Sequence, residues 1–152
     1  MRSIFGDEGS AGPGGLPPPG FFPPFPEADG GSTGGGEPYS FEMKEGRTGT
    51  PATGPSAGVG GSGAYAYAES SDKPGGSLFQ ALYNGTACSD MGLDILVVDF
   101  HYHMYGAGIG TFSVTNAAGE VKWSLSGNQG DSWQSVTVAV NSPSFAFKYS
   151  LS

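Results

Sequence analysis

Asp99, His101 and His103 alternate inside one apolar run, Leu93 to Met104. On a regular strand all three project from one face, which makes a half-site for zinc. The reading favours structural histidine, because two imidazoles and a carboxylate with no supporting outer contacts are a weak metal site. Gly54-Pro55-Ser56-Ala57-Gly58 has the Gly-x-Ser-x-Gly spacing of a nucleophile elbow, and Asp99 and His101 follow in the chain order of a hydrolase triad. An elbow needs a strand before its serine and a helix after it. Gly58, Gly60 and Gly61 come next instead, and they cannot start a helix of any length. Hydrolysis is not expected. Gly106-Ala107-Gly108-Ile109-Gly110 has no crossover helix behind it and no Gly-Lys-Ser/Thr beside it. It reads as a tight turn between strands.

Three further groups could act. Asn84-Gly85-Thr86 is the one N-glycosylation sequon, so in a secreted chain Asn84 belongs on a surface loop. Trp123 and Trp133 are the two side chains able to stack a sugar. Trp123 shares a face with Val121 and Leu125 and reads as core, whereas Trp133 is left open. Cys88 is the single cysteine, so an intrachain disulfide is excluded, and it reads as a small buried hydrophobe.

The elements that must position these groups are strands. Val121, Trp123 and Leu125 alternate with polar residues, as do Val136, Val138 and Val140, and Phe145, Phe147, Tyr149 and Leu151. Tyr65 and Tyr67 repeat the pattern ahead of Glu69. Leu96, Val98, Phe100, Tyr102 and Met104 form one face of a strand apolar enough to be central. Turn residues separate these runs at Asn116–Gly119, Ser126–Asp131 and Asn141–Pro143. Short strands so spaced, without helical crossovers, predict an all-β protein, an antiparallel jelly-roll β-sandwich.

Composition divides the chain. Residues 1–40 hold 11 of the 28 glycines and 8 of the 12 prolines. They read as a disordered Gly/Pro-rich linker, 1–40, ahead of a folded domain, 41–152. The net charge is −8 with six Lys and Arg, and no basic cluster exists to displace counterions from phosphates. Nucleic-acid binding is excluded. No apolar run nears the roughly 20 residues of a membrane span. After Met1 the only apolar pair is Ile4-Phe5, which is not the apolar region of a secretory leader.

Four ordered blocks together resemble the MAM domain. The first is Thr50–Pro55 and the second Gly63-Ala64-Tyr65-Ala66-Tyr67-Ala68-Glu69-Ser70-Ser71. The third is Tyr102-His103-Met104-Tyr105-Gly106, with Ile109-Gly110-Thr111 and Val114 behind it. The fourth runs from Trp123 through Gly127, Gln129 and Gly130 to Trp133. The resemblance implies a jelly-roll sandwich, an extracellular or cell-surface setting within a larger protein, and a non-catalytic role in adhesion. Partners are then other proteins, second copies included, with glycan binding or service beside a secreted protease as alternatives. A membrane is met only through the parent protein. No cofactor is implied, but Ca2+ is the ion to consider, because Glu69 falls at a matching acidic position, with Asp72 near it. Cys88 does not match the family's cysteine. The family's first strand, with its Phe-Glu, and its acidic closing strand have no counterpart in this reading. The domain is therefore expected to be truncated, with an open edge in one sheet.

Overall fold

A computed structural model describes residues 3–6 by their backbone, and 37–85, 88 and 90–152 in full. Its strands are β1 (Ser3–Gly6), β2 (Glu42–Glu45), β3 (Ala64–Tyr67), β4 (Leu78–Tyr83) and β5 (Ile95–Met104). They continue with β6 (Thr111–Asn116), β7 (Val121–Ser126), β8 (Gln134–Ser142) and β9 (Phe145–Ser150). One sheet has the order β2-β3-β1-β5-β8 and the other β4-β9-β6-β7. Every strand pair in both sheets is antiparallel. The protein is the all-β sandwich that the alternating pattern predicts.

The alternation says which side chains meet between the sheets. Phe100 and Met104 of β5, with Val138 and Val140 of β8, face Phe112 and Val114 of β6 and Phe147 and Tyr149 of β9. All eight are buried. Phe100 stands edge-on to Phe112, Phe147 and Trp123, at 5.8, 5.0 and 5.5 Å between ring centroids. Trp123 is half-buried at the margin of this core, beside Tyr102.

The structure settles the face of Tyr65 and Tyr67 and corrects the strand reading at Val121, at Asn141 and at Leu96, which is 64 % exposed. Tyr65 and Tyr67 do not line the inter-sheet core. Ala66 and Ala68 do, and the two tyrosines turn to the opposite face of the sheet, where they form a second buried cluster with Trp133. A period of two does not say which face is the inner one. Val121 is 62 % exposed although it alternates with Trp123. The register shifts between Val114 and Thr115, so that Val114 faces Trp123 but Thr115 faces Val121. The extra residue of that bulge turns Val121 to the outer side. Asn141 is not a turn residue. It lies within β8 at φ 44, where the pairing with β5 shifts register between Ile95 and Val97.

The segment expected to be a linker contributes to the sandwich. Ser3–Gly6 pairs with β3 on one side and with β5 on the other. The reason is backbone satisfaction: β3 and β5 each present a ladder flank to the gap between them, and a strand there serves both. Tyr39 adds a parallel bridge to Phe79, its N–H donating to the Leu78 carbonyl at 2.8 Å. The remaining linker residues, 7–36, lie outside the described residues. So do Thr86, Ala87 and Ser89.

Gly110 opens β6 against the end of β9. Its N–H donates to the hydroxyl of the buried Tyr149 at 3.0 Å, and a Cβ there would stand 1.8 Å from the Ser150 carbonyl oxygen. Gly110→Ala is expected to cost about 2–4 kcal/mol, read as a lower urea midpoint at unchanged slope. Gly119→Ala, at φ 79 with open space around it, serves as the comparison and should cost about 1–2 kcal/mol.

Candidate functional site

The outer face of the larger sheet carries the polar and aromatic groups that the sequence singles out. His103 of β5 is 2 % exposed. Trp133 packs edge-on to it at 5.5 Å and to Tyr65 at 5.9 Å, and Tyr105 meets it at 6.3 Å. The indole N–H of Trp133 donates to the Ala57 carbonyl at 3.0 Å, which ties the turn before β8 to the loop before β3. The Tyr65 hydroxyl donates to the Gly46 carbonyl. Trp133, left open by its sequence pattern, is thus a packing residue of an aromatic layer that holds loops onto the sheet.

His103 faces the exposed Asp131 across 3.1 Å, through Nε2. A carboxylate accepts, so Nε2 carries the proton and the neutral ring leaves Nδ1 as a bare lone pair. Among the described residues, buried Nδ1 has no hydrogen-bond partner. Protonation would place an N–H there with no acceptor among the described residues. Burial accordingly pushes the His103 pKa below its usual value, against the opposing pull of the Asp131 charge and hydrogen bond.

Two carboxylates converge at the far end of this face. The Tyr67 hydroxyl lies 3.1 Å from Glu42 Oε2 and 3.4 Å from Glu69 Oε2. Glu69 also accepts from the Ser71 N–H at 3.0 Å. Glu42, which the sequence reading passed over, is therefore the acidic neighbour of Glu69, and Phe41-Glu42 at the head of β2 is the signal that could have found it. Ca2+ takes six to eight oxygens, and these two side chains supply only a minority of them. Asp72 does not complete the set: among the described residues no three His, Cys, Asp or Glu side chains gather as metal ligands. Asp99, His101 and His103 do not converge either. The Asp99 carboxylate accepts from the Thr137 hydroxyl, whereas His103 turns to Asp131.

The remaining groups fall elsewhere. Ser56 is exposed in a loop, and the nearest element after it is a single 3-10 turn, Val59–Gly61, with Gly60 at φ 71. That is not the strand–serine–helix frame of an elbow. Gly106 at φ 134 is locked against Thr53, where a Cβ would meet Cγ2 at 2.9 Å. Gln129 donates to the Ser126 and Gly127 carbonyls at 2.9 and 3.2 Å, and its own N–H reaches the Met104 carbonyl at 2.7 Å. Gly127 and Gly130 take φ 78 and 92 around it. These residues shape the turn that delivers Asp131 and Trp133 to His103. Asn84 is exposed just beyond β4. Cys88 is a half-exposed free thiol rather than a fully buried one.

The family model for the MAM domain, meprin/A5/mu, matches residues 40–152, so β2 and Phe41-Glu42 fall inside the match. MAM domain-containing glycosylphosphatidylinositol anchor protein 1 of Gallus gallus is 39 % identical over 72 residues, covering 43 % of this chain. The chain spans 7 % of the length of that relative. Among the described residues no helix is long and apolar enough to cross a membrane.

A depressed histidine value fixes a sign. The unfolded chain takes up the proton first, so the contribution of neutral His103 to stability is present above the ordinary histidine value and is lost as pH falls through the folded one. Asp131→Asn removes the charge that raises the value and leaves only the weaker, neutral amide oxygen to accept from Nε2. It should lower the His103 pKa further, read from the ring proton shifts in an NMR titration, and an upward move would refute the assignment.

Proposed function

The chain belongs to the MAM domain family, and from that premise we propose that it serves as an extracellular adhesion module of a larger cell-surface or secreted protein, binding other proteins rather than transforming a substrate. The observation that carries the reading is the use made of the signature residues. Tyr65, His103, Met104, Gly110, Gln129 and Trp133 are taken up in packing, close approaches and turn bonds, and what they hold in place are two sheets and the loops upon them. MAM domains are non-catalytic modules that mediate protein interaction, and a relative of this chain is by name a glycosylphosphatidylinositol anchor protein.

The homophilic form has a direct test. Beads coated with the full chain should clump with one another, and albumin-coated beads should stay dispersed. Dispersed beads, with a single monomer boundary in sedimentation at the highest attainable concentration, would remove the homophilic form and leave binding to other proteins.

The same reading makes Asn84 the glycan acceptor. Its side chain is exposed, and Gly85 behind it at φ 66 could not carry a Cβ, which would stand 1.7 Å from the Pro143 carbonyl oxygen. Expressed through the secretory pathway, the chain should migrate as a heavier species that collapses on endoglycosidase treatment. Asn84→Gln should give the light species alone, and a heavy band in that variant would place the glycan elsewhere.

A further inference from the structure

β5 has ten residues, and β1 borders only the last four of them, His101–Met104. On the other flank β8 accompanies β5 from Ile95 to Tyr102. Among the described residues, Val97–Phe100 therefore have a strand neighbour on one side alone. Alternate backbone N–H and C=O groups of that stretch face an open flank.

Exposure changes along β5 as the pairing does. Phe100, His103 and Met104 are buried, but Leu96 and Val97 are 64 % and 52 % exposed. The register shift between Ile95 and Val97 accounts for Leu96, which it turns out of the core. Leu93 and Met91, in the connection before β5, are 54 % and 67 % exposed. These four give the open strand an apolar border, the kind of surface that marks an interaction site. The charge around it has one sign. Asp90, Asp94 and Asp99 are exposed, and no Lys or Arg occurs between residues 84 and 104.

We propose that this open half of β5 is a docking edge for an extended segment of a partner protein, one with apolar side chains at alternate positions and Lys or Arg between them. Main-chain bonds to Val97–Phe100 supply the affinity, and Val97 with the surrounding carboxylates selects the sequence. Two nearer occupants are opposed by charge. The residues after Gly6 begin Asp7-Glu8, and 7–36 contain no Lys or Arg. A second copy of the strand brings Asp94 and Asp99 against the same carboxylates. The inference deepens the protein-interaction reading and rests on it.

The test titrates the isotope-labelled full chain with a blocked heptapeptide of alternating Lys and Val, a Glu/Val counterpart, and a Lys/Val peptide N-methylated along one edge. The Lys/Val peptide should shift the Val97–Asp99 amides in a saturable way, the Glu/Val peptide should not, and N-methylation should abolish the effect. Val97→Lys should weaken binding about tenfold, with the Phe112 and Tyr149 signals unmoved to show the fold intact. Shifts scattered over the acidic surface and indifferent to N-methylation would overturn the proposal. So would protection from exchange, in the free chain, of those Val97–Phe100 amides that point away from β8, which at high dilution would name residues 7–36 as the occupant and with rising concentration a second copy. Beads that clump while the peptide fails to bind would overturn the edge and leave the adhesion reading standing.

Discussion

The sandwich depends on one aromatic contact between its sheets. Phe100 is the residue of β5 that meets three strands of the opposite sheet at once, through Phe112, Phe147 and Trp123, with all three rings presented edge to face. Each such pair adds about 0.5–1.5 kcal/mol beyond the apolar area it buries. The contact also sets which way β5 faces. With Phe100 and Met104 turned inward, His103 must turn outward, and the whole outer layer is arranged by that parity.

The outer layer explains why small and large residues alternate in β3. Ala66 and Ala68 lie inside, under a core already filled by phenylalanines, whereas Tyr65 and Tyr67 carry the bulk on the other side. A sheet so built is buried on both faces over part of its area. The second cover comes from loops rather than from a third layer, and side-chain bonds to carbonyls hold it: Trp133 to Ala57, Tyr65 to Gly46, Thr48 to Thr53. Loop backbone that lies against a sheet must have its polar groups satisfied, and these bonds do that. Beneath them His103 is buried, with Nε2 toward Asp131 and Nδ1 without an acceptor among the described residues.

Much of this was legible in the sequence, and the rest escaped for definable causes. Period-two alternation located β5, β7, β8 and β9 to within a few residues, because each carries at least three apolar residues at alternate positions. The inner face of β3 could not be read, since alanine and tyrosine are both compatible with burial. β1 and β2 escaped notice because four residues hold too few alternations to stand out among glycines. Bulges defeat any periodic argument, and the two in β7 and β8 misdirected Val121 and Asn141. Of the candidate site, His103 and Trp133 were singled out separately, but their contact is set by the turn through Gly127 and Gly130, which only the fold brings under β5. Glu42 and Glu69 are 27 positions apart in the chain. They meet on the Tyr67 hydroxyl because β2 and β3 pair Glu42 with Tyr67.

The strand order has a consequence for how the domain comes to be folded. β9, the last of the described strands, sits between β4 and β6 in the smaller sheet, and Ser150 near its end is opposite both Leu78 and Thr111. β1, the first, is interior to the larger sheet and needs β5, whose Ile95 lies far along the chain from Ser3, as its neighbour. A ribosome thus releases one interior strand long before its partner exists, and the other only after the rest of its sheet. Neither sheet can close until its late strands have emerged, and closure then runs at the slow pace of distant pairings. Among the described strands, until β9 arrives β4 has no neighbour and β6 has β7 alone. Those are the edges that a chaperone would have to cover during synthesis.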